Sequence, residues 1–187
     1  IDYINNINPR GLLREVNLNL SNLNELNSTY NFSALLDGVG INLKQNNTKV
    51  DGLNGLININ QNGGRVNIDT TNLGVEVKNY LNSKLIFELA LGEIIWRKGE
   101  SGLTISTNQF NLKNSDFVSN SDIELSIPAN KKTPYVDLES NWSLNDITVL
   151  KRIIPKERIN PILYDWIQES MLAGEVESGK TKMIGLI

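Results

Sequence analysis

Apolar and polar residues alternate one by one through most of this chain, and that alternation confines it to strands with one dry face and one wet face. Val16, Leu18 and Leu20 alternate with Asn17 and Asn19. Ile57 and Ile59, then Val66 and Ile68, alternate with asparagines in the same way. Val75 and Val77 flank Glu76. Leu103 and Ile105, Ile123, Leu125 and Ile127, and Val136, Leu138, Ser140 and Trp142 continue the period. Parallel strands covered on both faces would read as unbroken apolar runs. The turns agree with antiparallel pairing. Gln61-Asn62-Gly63-Gly64 and Lys98-Gly99-Glu100-Ser101-Gly102 separate alternating runs and supply the positive φ of tight hairpins. The expected fold class is mainly β: a curved antiparallel meander, an open β-groove or taco-like sheet, with a short helical pair near the C-terminus.

Two stretches depart from this pattern. Residues 85–96 are more apolar, so either the strand is covered on both faces or Gly92 marks a bulge or bend. Beyond residue 143, Ile147, Leu150 and Ile154 recur at helical spacing, and Pro155 ends that segment. A second helix is expected from Asn160 as N-cap, Pro161 at the first position and Gly174 just past the end. Leu163, Trp166, Ile167, Ser170 and Met171 would share its packed face. The chain therefore divides into a β-sheet over residues 1–142, a helical pair over 143–174 packing on that sheet, and a further strand over 175–187. Trp96, Trp142 and Trp166 are expected to pack helix onto sheet.

The composition excludes most chemistry. There is no cysteine and no histidine, which removes disulfides, thiolate catalysis, Zn–thiolate sites and the commonest general base. The 18 basic and 21 acidic residues form no concentrated basic surface, so nucleic acid is not an expected partner. No catalytic residue, metal site or cofactor is expected. Asp165 and Glu169, one helical turn apart, read as ordinary surface charge. The 28 asparagines read first as codon drift in an AT-rich source, and alternatively as residues of wet strand faces and turns. The first residue is Ile1, and Met183 to Ile187 run within an apolar pattern, so the chain is expected to be a fragment of a longer repetitive β protein.

The order of several short elements carries a family resemblance. Asn8-Pro9-Arg10-Gly11-Leu12-Leu13 opens a strand, and Val50-Asp51-Gly52-Leu53-Asn54-Gly55-Leu56 leads into a Gly-rich hairpin. Gly92-Glu93-Ile94-Ile95-Trp96-Arg97 forms a third element. Ile153-Ile154-Pro155 and Ile159 to Ile167, with Asn160-Pro161 and Asp165-Trp166, form the fourth. In this order they resemble the YhdP branch of the AsmA-like family, with an aliphatic residue where that family often has an aromatic before the proline. The resemblance implies a periplasmic segment of a protein anchored in the inner membrane of Gram-negative bacteria by a helix outside this fragment. It implies an apolar β-groove that conducts phospholipid between inner and outer membranes, with no enzymatic activity. Phospholipid acyl chains, the inner membrane, and inner- or outer-membrane proteins are the expected partners.

Such a conduit needs continuous aliphatic cover, because each exposed CH₂ costs about 0.8 kcal/mol. The candidate groove residues are Ile57, Ile59, Val66, Ile68, Leu85, Phe87, Leu89, Leu103, Ile105, Ile123, Leu125, Ile127, Val136 and Leu138. A closed core against the helices would use the same residues. The alternative function is a structural or adhesive β-module of a bacterial surface or secreted protein with no lipid ligand.

Overall fold

The computed structural model describes residues 8–22, 28–43, 47–77, 83–130, 133–154 and 159–186. Its strands are β1 Arg10–Ser21, β2 Thr29–Leu43, β3 Thr48–Asn60, β4 Gly63–Thr70, β5 Leu73–Val77, β6 Leu85–Phe87, β7 Leu89–Gly99, β8 Gly102–Lys113, β9 Phe117–Pro128, β10 Tyr135–Leu144 and β11 Val176–Leu186. They form one open antiparallel sheet in the order β1-β2-β3-β4-β7-β8-β9-β10-β11, with β5 beside β3 and β6 beside β5. The chain is therefore mainly β, as its alternation requires.

The register explains the two strands off this path. Long β3 pairs β4 along Gly55 to Asn60 and β5 along Thr48 to Asp51. β4 and β5 are thus one strand broken at Thr71-Asn72, and β6 and β7 are one strand broken at Glu88. The breaks sit side by side and form a corner. Gly38, Gly52 and Asn72 reach it with φ of 60°, 82° and 60°, backbone that a side chain with a branched Cβ does not tolerate. Thr70, fully buried, clamps the corner: its hydroxyl donates to the Asn54 carbonyl at 2.9 Å and accepts from the Asn54 N–H at 2.8 Å. The Asn54 side chain in turn accepts from the Gly38 N–H at 2.8 Å. Past the corner, Leu36, Val39, Leu53, Ile68, Leu73, Phe87 and Ala90 close into a small core.

In residues 85–96 the expected irregularity at Gly92 is present, because the β7–β8 register shifts between Leu91 and Glu93 with Gln109 at φ 50° on the facing strand. A separate break falls at Glu88, so the run Leu85, Phe87, Leu89 does not share one face. Gly92 matters for another reason: the Phe110 ring lies over it, at 2.7 Å from where a Cβ would stand.

The β10–β11 crossover is helical. A 3-10 turn at Ile147–Val149 runs into the one-turn α1, Leu150–Ile153. Asp146 caps it, accepting from the Thr148 N–H at 2.9 Å, a role its sequence context did not reveal. Next comes α2, Pro161–Ser170, where Asn160 accepts from the Ile162 N–H at 2.9 Å and Pro161 begins the first turn. Pro155, expected to end the first helix, lies outside the described residues. The helix ends at Ser170, earlier than Gly174 suggests, and the Gly174 carbonyl instead accepts from the Ile147 N–H at 2.8 Å. Only Ile167 of the expected packed face is buried. α2 meets the crossover through buried Ile167 and the Lys151 ammonium bond to the Gln168 carbonyl, and Trp166 stays 53% exposed.

Candidate functional site: an apolar trough

Because side chains alternate, the register assigns every strand residue to a face. Ile57 stands opposite Ala34 and Val66, Val66 opposite Ile94, and Ile105 between Trp96 and Leu125. Leu125 stands opposite Val136, and Leu138 between Ile123 and Met183. At the first edge, Leu18 pairs with Phe32 and Leu20 with Tyr30. One face thus carries an apolar row across all nine strands of the main path. At about 4.8 Å per strand the row is about 40 Å long.

The other face is mainly polar, with Leu35, Leu56, Leu91 and Ile95 among its charged and amide residues. Its ion pairs join neighbouring strands: Arg14–Asp37 at 2.7 Å, Lys49–Glu76 at 3.7 Å, and Lys182–Glu139 at 3.6 Å, with Lys180 also on Glu139. Asp51 takes both Lys84 at 3.0 Å and Arg10 at 3.2 Å. The Lys84 hydrogen bond, reinforced by the Lys84 and Arg10 charges, holds the Asp51 carboxyl below the usual carboxylate range. Glu139 is lowered in the same way, chiefly by the hydrogen bond from Lys180.

Eleven of the fourteen sequence-derived wall residues share the apolar face: Ile57, Ile59, Val66, Ile68, Leu103, Ile105, Ile123, Leu125, Ile127, Val136 and Leu138. They are not equivalent. Val66, Ile68 and Val136 are buried, whereas Ile105, Ile123, Leu125 and Leu138 are half-buried and Ile127 is exposed. Phe87 and Leu85 belong to the corner core, where they stand opposite Leu73 and Val75. Leu89 is corrected: it pairs with Lys113 beyond the Glu88 break and lies on the polar face. The break reverses the phase of alternation, which sequence spacing alone cannot show.

The tryptophans also differ from expectation. Trp96 lies flat over Gly64 and Trp142 over Gly179, each directly across a strand pair and with ring atoms 2.4 Å from where a glycine Cβ would stand. Glycines opposite the rings, rather than a helix above them, receive these side chains. The Trp142 indole N–H donates to the Thr181 hydroxyl at 2.9 Å.

Ser140, already part of the alternating period, is joined on the same face by three hydroxyls that sequence reading missed. Ser119, Ser121 and Thr181 lie in phase with Ile123, Leu138 and Met183. The Ser121 and Ser140 hydroxyls bond each other at 2.8 Å, which lets them sit on a dry face. Their period-two phase was the available signal.

A model of the YhdP protein family matches residues 2–185. The chain belongs to the YhdP family. No curated protein and no solved structure matches it. In this YhdP-family chain the shared motifs acquire physical roles. Gly52-Leu53-Asn54-Gly55 builds the corner, and Gly92 with Trp96 provides an aromatic ring seat and an aromatic ring. Among the described residues of the YhdP-family chain, no helix is long and apolar enough to cross a membrane.

Proposed function

We propose that this segment is a passive, non-enzymatic length of a periplasmic conduit, in which phospholipid acyl chains lie in the apolar trough on their way between two membranes. The observation that carries this reading is the uncharged row crossing nine paired strands with its aliphatic side chains left half-open. A purely structural module would seal that row. Here the corner end is closed by its own core and Leu144, Val149 and Ile167 are buried at the helical crossover, while Ile105, Ile123, Leu125 and Leu138 stay half-open. Membership of the YhdP family supports the lipid-related role and the membrane-anchored, periplasmic setting.

The energetics fit. An acyl chain in water loses about 0.8 kcal/mol per CH₂, so cover must be continuous, while sliding needs walls without a deep local trap. Aliphatic side chains of similar character on successive strands meet both needs. The charged pairs on the opposite face keep the sheet wetted on one side only.

The absence of cysteine makes the test clean. Single cysteines replacing Ile105 and its polar-face neighbour Ser106 can each carry an environment-sensitive fluorophore. Phospholipid brominated on its acyl chains should quench the label at 105 and leave that at 106 bright. Equal quenching at both, or none at either, would sink the proposal.

A further inference from the structure

The face away from the apolar row carries the ion pairs described above and, towards its β1 end, a concave region. There β1, β2, β3, β4 and β7 shape a cleft of about 980 Å³. Its walls present the amides of Asn19, Asn31, Asn58 and Asn67 and the guanidinium groups of Arg65 and Arg97. The register fixes their layout: Asn19 stands opposite Asn31, Asn58 opposite Arg65, and Asn67 opposite Glu93. Elsewhere asparagines serve the fold. Asn54 bonds the corner, and Asn120 donates to Asn111 at 2.9 Å. The four cleft amides make no such bond among the described residues. Arg65 reaches Glu93 at 3.6 Å, whereas Arg97 has no carboxylate partner among the described residues.

We propose that this cleft binds an acidic oligosaccharide. Each amide offers donor and acceptor in one plane, which suits neighbouring sugar hydroxyls. Asn19 and Asn31 stand side by side, and Asn58 and Asn67 each lie one strand further on and two residues along, about 7–8 Å away, so the amides follow a diagonal that an extended sugar chain can track. A free guanidinium takes a carboxylate through two parallel hydrogen bonds. Other anions fit less well. Single-stranded nucleic acid needs aromatic side chains for its bases to stack on, and none stands on this face of the cleft. A phospholipid headgroup bound here would leave its tails in water, on the side opposite the trough.

Titration of the full chain with tetragalacturonate and with neutral maltotetraose, followed through the asparagine side-chain amide signals in NMR, tests this. Tetragalacturonate should shift the cleft amides and bind about tenfold more tightly than maltotetraose, and raising the salt should weaken it. Asn58→Ala with Asn67→Ala should weaken binding about tenfold. Arg97→Gln, an exposed change that leaves the fold intact, should remove the preference for the acidic sugar. Asn141→Ala, on the same face but outside the cleft, should change nothing. Equal binding of the two sugars, no binding of either, or shifts confined to the trough would each overturn the proposal. The acyl-chain quenching at residue 105 reads the other face, so the two results fail separately.

Discussion

Trp142 can lie down only because Gly179 across the strand has no side chain, and the three atoms nearest a Cβ there all belong to the Trp142 ring. Gly179→Ala should therefore lift the ring from the sheet and destabilise the protein by about 1–3 kcal/mol, with a shift in tryptophan emission. Gly99→Ala, where a Cβ meets nothing within 4 Å, should leave the urea midpoint unchanged. Charge at single residues acts more gently. Asp51 has an ordinary value of 3.8 and titrates lower when folded, because Lys84 and Arg10 favour its charged form. Its contribution to stability is complete above that ordinary value and fades as pH falls through the folded one. The side chain is 35% exposed, so the gain is below about 1 kcal/mol. Asp51→Asn should thus cost a little stability at neutral pH, and the gap from the parent chain should narrow on acidification below about 3.8, as urea unfolding across pH would show.

Between neighbouring elements the decisive contact is the Thr70 clamp on the Asn54 backbone. Thr70→Val keeps the shape and strands a buried N–H and carbonyl, so it should cost about 1–3 kcal/mol by chemical denaturation. Hydrogen exchange should open the β4–β5 break first. Alternation made the strands legible: within each run of 57–59, 66–68, 103–105, 123–127 and 136–138 nothing interrupts the period, and the apolar residues of each run fall on one face. The corner was not legible, since Glu88 bears no mark of the break that reverses the phase and sends Leu89 to the polar face. The caps Asn160 and Pro161 were readable because their chemistry is local. The docking of α2 was not, because it depends on Ile147–Ile153 folding back as a short turn.

At the scale of the whole sheet, the corner core and the open row should respond differently to substitution. Ile68→Ala, at 5% exposure, should cost about 2–4 kcal/mol. Ile127→Asp, at the exposed rim of the trough, should change stability by less than about 1 kcal/mol and yet reduce the phospholipid recovered with the purified chain. The outer strands carry a further liability. Leu18 and Leu20 on β1 are more than half exposed, so a Leu18→Lys, Leu20→Lys chain should sediment as a smaller species than its parent at high concentration. Each strand of the main path also finds its partner in the stretch of polypeptide just before it, counting each broken pair as one strand, with a long detour only ahead of β11. A polypeptide emerging from a pore end first could thus zip up one ribbon at a time, every newcomer meeting a template already in place. Growth of that kind has no built-in stopping point, and lengthening the sheet would require more ribbons and no new architecture.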